Sequence, residues 1–279
     1  MLPLTLSKHH GLGNDFLVLI DLDERVDANA APALARAVCD RHRGIGADGL
    51  LIARSPAGRD AADLAMRLHN ADGGIAEMSG NGIRCFAQAV VTAGLVAAGT
   101  VRIATDGGLR VVDVGPTDPC GRAEVRVGMG AAIVGTVDVP DATRVVLSNA
   151  RFVTVDMGNP HLVVDRSLAD DPTAIAMLGP ELEAPFLGEP TRGINVEAIW
   201  LDGPDTVQMR VWERGVGVTE ACGTGACAAA VAAMGWGWVG DRVTVVQPGG
   251  AAVVEVGAGE ITLVGPTQHI ADIFWPRQG

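Results

Sequence analysis

Apolar and polar residues alternate along this chain in a way that predicts mainly β-strands. Segments rich in Val, Ile and Leu recur from one end to the other. Runs of this kind are typical of strands that are buried on one or both faces. The predicted strands are Phe16 to Leu22, Leu64 to Asn70, Val101 to Ala104, Arg110 to Val114, Ala123 to Val127, Arg151 to Val155, His161 to Val164, Val196 to Trp200, Thr206 to Val211, Val243 to Val246 and Ala252 to Val256.

Helices are predicted to be fewer, and two of them begin alike. The clearest helical segments run from Pro32 to Asp40, from Gly82 to Ala93 and from Gly225 to Met234. The motif Ser79-Gly80-Asn81-Gly82 opens the second, and Cys222-Gly223-Thr224-Gly225 opens the third, 143 residues later. This offset is about half of the 279 residues. A duplicated domain would give such a spacing, so the sequence predicts two related halves.

The composition agrees with two folded α/β domains. Apolar residues make up 48% of the chain, but there is no Tyr and there are only 5 Phe and 5 Trp. The core is therefore expected to consist mainly of Val, Leu, Ile and Ala. A chain of this length commonly forms two domains. The boundary is expected near Asp118 to Arg122, because Pro116, Pro119 and Gly121 form a turn-rich link there.

Charge narrows the classes of partner. The net charge of -12 disfavours nucleic acids and anionic membranes, since their phosphates would be repelled. A small polar molecule is the expected ligand. The uncharged stretch from Ala221 to Gly240 is dominated by Ala and Gly, which favours a buried helix over a membrane span. The N-terminus lacks the pattern of a signal peptide, so the expected location is the cytoplasm.

The cysteines indicate neither a disulfide framework nor a structural zinc site. They are five in number and include no CxxC pair. Cys39, Cys85 and Cys227 lie among apolar residues and are interpreted as small buried side chains. Cys222 differs, because it directly precedes a Gly-x-Gly helix start.

The two helix starts are candidate sites for an anion. A helix N-terminus exposes unpaired N–H groups and the positive end of the macrodipole, and glycines let a carboxylate approach them closely. The same field is expected to lower the pKa of Cys222 and to give a reactive thiolate. Two such starts facing each other would place an acid/base group on each side of one carbon. That arrangement suits inversion of a stereocentre.

Seven motifs carry a resemblance to a known family. The motifs are His10-Gly-Leu-Gly-Asn-Asp-Phe16, Asp40-Arg-His-Arg-Gly-Ile-Gly-Ala-Asp48, Asn70-Ala-Asp-Gly73, Ser79-Gly-Asn-Gly82, Met157-Gly-Asn-Pro-His161, Arg192-Gly-Ile-Asn195, and Glu213-Arg-Gly215 leading to Ala221-Cys-Gly-Thr-Gly225. With these motifs in this order, the sequence is similar to diaminopimelate epimerase over essentially its whole length.

The resemblance implies a fold, a reaction and an assembly. The fold would be α/β, with two pseudo-symmetric, strand-rich, barrel-like domains, each around a central helix, and an active site in the cleft between them. The domains would span residues 1–120 with about 269–279, and residues 121–268. The reaction would interconvert LL- and meso-diaminopimelate, a step toward lysine and peptidoglycan precursors. Neither pyridoxal phosphate nor a metal would be needed, and the family resemblance suggests a homodimer.

The resemblance also assigns roles to residues at matching positions. Arg214 would bind the distal carboxylate in a bidentate manner, while Glu213 and the amides would hold the distal ammonium. Gly80, Asn81, Gly223 and Thr224 would supply donors to the reacting carboxylate. The expected catalytic residues are Cys222, Ser79, His161 and Glu213, and the expected substrate-binding residues are Asn14, Asn70, Gly80, Asn81, Asn159, Asn195, Arg214, Gly223 and Thr224.

Ser79 departs from the family, which carries its other catalytic cysteine at this position. A hydroxyl is far less acidic than a thiol, so half of the acid/base pair is expected to be impaired. The serine could be an engineered replacement or a natural variant with altered chemistry. In a third reading, Ser79 still acts as a slow acid with help from His161, while Cys222 serves as the base.

Two other functions remain open. One is a related cofactor-independent racemase for proline, hydroxyproline or histidine. The proline branch generally has a His after the first Gly and an Asp-Arg-Ser run, which Asn81 and Glu213-Arg214-Gly215 do not match. The other is an amino-acid-binding homologue that does not catalyse, which Ser79 would allow. A substrate panel and calorimetry would separate these functions.

Overall fold

The computed structural model describes residues 3–56, 58, 61–135, 137–165, 174–183 and 193–276. The chain divides into two compact units. Unit 1 comprises Met1–Gly128 and Val264–Gly279, and unit 2 comprises Met129–Leu263.

The described strands and helices follow in chain order. The strands are β1 (Leu4–Gly11), β2 (Asn14–Ile20), β3 (Gly49–Arg54), β4 (Leu64–Asn70), β5 (Ile75–Ala76), β6 (Gly99–Thr105), β7 (Gly108–Val114), β8 (Arg122–Gly130), β9 (Ile133–Val134), β10 (Phe152–Asp156), β11 (Pro160–Asp165), β12 (Asn195–Leu201), β13 (Thr206–Glu213), β14 (Gly217–Thr219), β15 (Arg242–Gln247), β16 (Gly250–Val256) and β17 (Ile261–Trp275). The helices are α1 (Ala31–Cys39), α2 (Gly80–Thr92), α3 (Asp141–Val146), α4 (Ala174–Glu183) and α5 (Gly223–Gly235).

In unit 1, eight strands close into a barrel around α2. Strands β1 and β2 pair antiparallel, β2 and β3 parallel, β3 and β4 antiparallel, β4 and β6 parallel, and β6, β7 and β8 antiparallel. Strand β17 then pairs with both β8 and β1 and closes the ring. Closure leaves no unpaired sheet edge and lets the inward side chains bury the central helix.

Unit 2 repeats this order of pairings. Strands β10 and β11 pair antiparallel, β11 and β12 parallel, β12 and β13 antiparallel, β13 and β15 parallel, and β15 and β16 antiparallel. Helix α5 follows β14 just as α2 follows β5, and both helices have 13 residues. The predicted relation between the two halves is therefore confirmed at the level of topology.

The central helix of unit 2 is apolar on all sides. Residues 226–230 are four alanines and Cys227, and none of their surface is exposed. A helix without a polar face is stable only when it is surrounded by protein, and α5 contacts β10, β11, β12, β13, β15 and β16. Alanine suits this position because it favours a helix and occupies little volume between the helix and the strands that surround it.

The structure confirms the three predicted helices and the eleven predicted strands, with ends shifted by a few residues. It also contains elements that the sequence pattern did not reveal, including β3, β17 and α3. Cys39, Cys85 and Cys227 are buried, as interpreted. Among the residues that are described, no helix is both long and apolar enough to cross a membrane.

Candidate active site

The start of α5 carries Cys222 as its N-terminal cap. The backbone of Cys222 is extended, with φ -122° and ψ 120°. Its Sγ accepts a hydrogen bond from the Gly225 N–H at 3.3 Å, and its own N–H donates to Gln247 Oε1 at 2.8 Å. The cap satisfies one donor that a helix start leaves open. It also fixes the thiol, which is only 7% exposed, against the first turn of α5.

A series of side-chain contacts connects this thiol to a buried carboxylate. Cys222 Sγ lies 3.5 Å from Thr224 Oγ1, to which Asn159 Nδ2 donates at 3.4 Å. Asn159 Oδ1 lies 3.1 Å from His161 Nε2. On its other side, His161 Nδ1 lies 2.6 Å from Glu197 Oε1. Four of these five residues were predicted site residues, and the structure brings them together within unit 2.

Glu197 is the residue that sequence reasoning missed. It was included in a predicted apolar strand, Val196 to Trp200, and drew no separate attention. The structure buries it completely, with its side chain beside Gly225. A single carboxylate within a run of apolar strand residues was the available signal, because such a group is rarely buried without a partner.

The pKa of Cys222 differs from the prediction. Burial, followed by the negative charges of Glu213 and Glu197, raises the pKa of this thiol well above its ordinary value. Hydrogen bonds from Thr224 and the Gly225 N–H act in the opposite direction but are outweighed. The prediction that the helix start lowers this pKa is therefore wrong, because it left out the burial of the thiol and two carboxylates supplied by other strands.

Glu213 and Arg214 lie at the end of β13. Glu213 is half-buried, and Arg214 is exposed. The Arg214 N–H donates to Asn195 Oδ1 at 3.0 Å, and its Nη1 donates to the Gly193 carbonyl at 3.3 Å. Asn195 thus fixes the backbone from which the guanidinium projects. An exposed guanidinium on a fixed backbone can bind a carboxylate.

The start of α2 in unit 1 has the same cap geometry with different chemistry. Ser79 has φ -138° and ψ 125°, and its Oγ accepts a hydrogen bond from the Gly82 N–H at 3.0 Å. Behind it lies Arg84, which is fully buried. Its guanidinium donates to the Gly80 carbonyl at 3.0 Å and to Asn81 Oδ1 at 2.8 Å. A buried cation therefore adjoins this helix start, whereas carboxylates adjoin the other.

Asn14 is held beside the same helix start. Its Oδ1 accepts a hydrogen bond from Asn81 Nδ2 at 3.3 Å, and its Nδ2 donates to Asp48 Oδ2 at 2.6 Å. Arg41 Nη2 is 2.7 Å from carboxylate oxygens of both Asp48 and Asp15. These ion pairs balance the charge around Asn14 and fix its amide.

Residues at equivalent strand positions show how the two units diverged. Phe16 pairs with the first residue of β3, just as His161 pairs with the first residue of β12. Leu51 and Glu197 are the third residues of those strands. The pair of polar residues that adjoins Cys222 in unit 2 is therefore replaced by an apolar pair in unit 1.

The predicted site residues fall into two groups, one in each unit. In unit 1, Asn70 ends β4 and is exposed. Arg192, from one of the recognised motifs, lies outside the described residues. The unit 1 group is Asn14, Asn70, Ser79, Gly80 and Asn81, and the unit 2 group is Asn159, His161, Asn195, Glu213, Arg214, Cys222, Gly223 and Thr224.

Known proteins resemble this chain across nearly its full length. The family described as diaminopimelate epimerase matches residues 6–134 and 153–270. A diaminopimelate epimerase of Desulforudis audaxviator is 41% identical over 98% of this chain and all of its own length. One from Pelotomaculum thermopropionicum is 38% identical over 97% of this chain and 98% of its own. A solved probable proline racemase of Agrobacterium radiobacter K84 has a TM-score of 0.73 at 19% identity, covering 97% of this chain and 92% of its own, which shows a shared fold.

Proposed function

Since this chain belongs to the diaminopimelate epimerase family, we propose that it acts at the α-carbon of diaminopimelate and interconverts the LL and meso forms, a reaction that Ser79 slows strongly in this chain. This reaction makes a precursor of lysine and of peptidoglycan. The two units described above are taken as the two epimerase domains. Proton transfer by side chains is sufficient for this chemistry, so the proposal includes neither a metal nor pyridoxal phosphate.

The observation that carries the proposal is the repeated cap. Both helix starts hold an acid/base side chain, Ser79 or Cys222, against the third N–H of the helix at 3.0 and 3.3 Å. A stereoinversion requires one such group on each face of the carbon. We propose that these two side chains serve the same α-carbon.

Binding of the reacting amino-acid head is assigned to the helix starts. The N–H groups of Gly80, Asn81, Gly223 and Thr224 would donate to its carboxylate, which the helix dipoles also favour. This interaction grows stronger as negative charge spreads onto the carboxylate during removal of the α-proton. The helix starts would thus stabilise the carbanion more than the bound substrate.

Binding of the distal head is assigned to polar side chains at strand ends. Arg214 would bind the distal carboxylate through its exposed guanidinium. Glu213 would attract the distal ammonium by charge. Both predicted roles demand a second amino-acid head in the substrate, which a simple amino acid lacks. The amides assigned to substrate contacts are Asn14, Asn70, Asn159 and Asn195.

The proton steps differ on the two faces. The thiolate form of Cys222 takes the α-proton and becomes a thiol, and the electron pair of the C–H bond passes to the carbanion. Inversion then requires a proton from Ser79, which would leave an alkoxide that a helix start cannot stabilise near neutral pH. Return of a proton from the same thiol restores the starting isomer. Exchange without inversion is therefore the expected main activity.

An exchange assay with three protein variants tests this function. In heavy water, the unaltered protein should exchange the α-proton of one epimer with little inversion. Cys222→Ala should abolish that exchange, and Ser79→Cys should restore inversion. Unchanged exchange in Cys222→Ala would remove the thiol from the mechanism. Absence of exchange in every variant would contradict the proposed function itself.

A homodimer in the cytoplasm is the remaining part of the proposal. It is supported by the family resemblance. Light scattering coupled to gel filtration should give a mass of about twice the 28.7 kDa of one chain. A mass equal to one chain over the working concentration range would contradict the dimer.

A further inference from the structure

Glu197 is a buried carboxylate for which the proposed proton steps give no role. It lies on β12, between two apolar residues, and none of its surface is exposed. Burial of a carboxylate costs several kcal/mol unless partners compensate for the lost hydration. The neighbours of Glu197 therefore indicate what the carboxylate does.

One oxygen of Glu197 holds the ring of His161. Oε1 lies 2.6 Å from His161 Nδ1, and that ring is also fully buried. A carboxylate at Nδ1 keeps a hydrogen on that nitrogen and fixes the orientation of the ring. The opposite nitrogen faces Asn159, which leads through Thr224 to the thiol.

The same carboxylate lies close to the first turn of α5. A β-carbon added at Gly225 would come within 2.7 Å of Glu197 Oε1. Glycine at this position thus admits the carboxylate to the helix start, where the macrodipole favours a negative charge. The other oxygen, Oε2, is buried and has no hydrogen-bond partner among the residues the structure describes. A half-satisfied carboxylate is typical of a group kept for function rather than stability.

We propose that Glu197 is a positioning residue of the proton-transfer machinery: it orients His161 and, through its charge at the α5 start, contributes to keeping Cys222 protonated in the resting protein. This role of Glu197 in proton transfer rests on the proposed epimerase function. Its two physical elements are the hydrogen bond to His161 and the negative charge beside the first turn of α5.

A thiol of raised pKa serves both directions of the reaction. At rest it carries the proton that a carbanion needs. Once deprotonated, it is a stronger base toward the weakly acidic α-carbon than an ordinary thiolate would be. The cost is that only a small fraction of the protein holds the thiolate at neutral pH.

Several groups besides Glu197 face Cys222 and must be kept constant in any test. Glu213 adds a second negative charge from β13, and Gln247 accepts the Cys222 N–H from β15. Thr224 and the Gly225 N–H hydrogen-bond to Sγ from α5 itself. A variant at position 197 that preserves side-chain volume leaves these contacts in place.

The rate of alkylation by iodoacetamide measures the reactivity of the Cys222 thiol directly and requires no substrate. In Glu197→Gln, the rate of alkylation of Cys222 near neutral pH should rise about three- to tenfold, because a larger fraction of the thiol is ionised. The rise is limited because a thiolate of lower pKa is also a weaker nucleophile. The pH profile of alkylation should move to lower pH. Exposed Cys120 provides an internal reference in the same sample. The matched control is Glu220→Gln, which removes an exposed charge two residues before Cys222 and should change the rate by less than about twofold.

A second variant separates charge from position. Glu197→Asp keeps the charge but withdraws the carboxylate from His161. Alkylation of Cys222 should then stay within about twofold of the unaltered rate. Side-chain 1H–15N spectra should show the hydrogen on His161 Nδ1 in the unaltered protein and its loss or rapid exchange in Glu197→Asp.

Unchanged alkylation in a folded Glu197→Gln protein would overturn the charge role. A His161 that lacks a hydrogen on Nδ1 in the unaltered protein would overturn the positioning role, even if the Gln variant does not fold. Failure of the proposed function would appear separately, as absence of α-proton exchange from an unaltered protein whose thiol still responds to Glu197.

Discussion

The two helix starts of this protein share one backbone design and differ in the charges that surround it. Ser79 and Cys222 cap 13-residue helices with nearly equal dihedral angles and the same hydrogen bond to the third N–H. Yet Arg84 is buried behind the first start, while Glu197 is buried beside the second. The comparison shows that a duplicated scaffold can place charges of opposite sign beside two equivalent helix starts by exchanging a few inward-facing residues.

Replacing Ser79 by cysteine should produce the largest change. The new thiol would cap the helix whose first turn holds the buried guanidinium of Arg84, so its thiolate should be favoured. A functional second acid/base group commonly contributes about 10²- to 10⁴-fold. The rate of interconversion of LL- and meso-diaminopimelate, followed by chiral chromatography, should rise by a factor in that range. Failure of Ser79→Cys to raise it would contradict the assignment of position 79.

Two buried histidines extend the comparison to stability. His161 has a carboxylate partner, whereas His9 in unit 1 contacts Gln88 and Ser7. Burial lowers the pKa of His9 to about 4. The unfolded chain therefore binds a proton at His9 below about pH 6.5 that the folded chain does not bind, and stability falls as the pH drops from about 6.5 to 4.

The expected loss across that window is about 3 kcal/mol from this residue. His9→Gln should flatten the dependence of the unfolding free energy on pH, measured in urea between pH 7 and 4. The control is His42→Gln, at an exposed histidine, which should leave the slope unchanged. Equal slopes in both variants would refute the assignment to His9.

Adding one methyl group at each helix start should also distinguish the two units. At Gly225 the new carbon would meet Glu197 Oε1 at 2.7 Å, whereas at Gly82 the nearest atom is Ser79 Cβ at 3.1 Å. Gly225→Ala should therefore cost about 1–3 kcal/mol of unfolding free energy, and Gly82→Ala less. Chemical denaturation of the two variants checks the order. A reversed order would mean that Glu197 does not lie against the α5 start as described.

The smallest expected effect is a difference in thiol reactivity. In Ser79→Cys, iodoacetamide should modify the cysteine at position 79 about tenfold faster than Cys222 near pH 7.5, because the neighbouring charges differ in sign. Peptide mass spectrometry gives both rates in one sample. Equal rates would show that the charges of Arg84 and Glu197 do not make the thiols at the two helix starts differ in reactivity.

Much of this architecture could be predicted from the sequence because local signals specify it. The Gly-x-Gly motifs predicted both helix starts, and the spacing of 143 residues predicted the repeat. Strand β17 was missed because Gly265 and Pro266 interrupt its apolar pattern.

The protonation state of Cys222 could not be predicted in the same way. It depends first on burial of the thiol, and then on Glu213 and Glu197, which strands β13 and β12 bring to α5 from sequence positions up to 25 residues away. No local motif carries that information. The helix start alone suggested a lowered pKa, and the tertiary neighbours reverse the direction.

Exchange of the α-proton in heavy water, started separately from the LL and the meso form, tests the central claim most directly. The unaltered protein should incorporate deuterium into one epimer, at a rate that rises with pH as the Cys222 thiolate forms, and should produce little of the other epimer. Deuterium incorporation into both epimers at equal rates, with rapid interconversion, would contradict that claim.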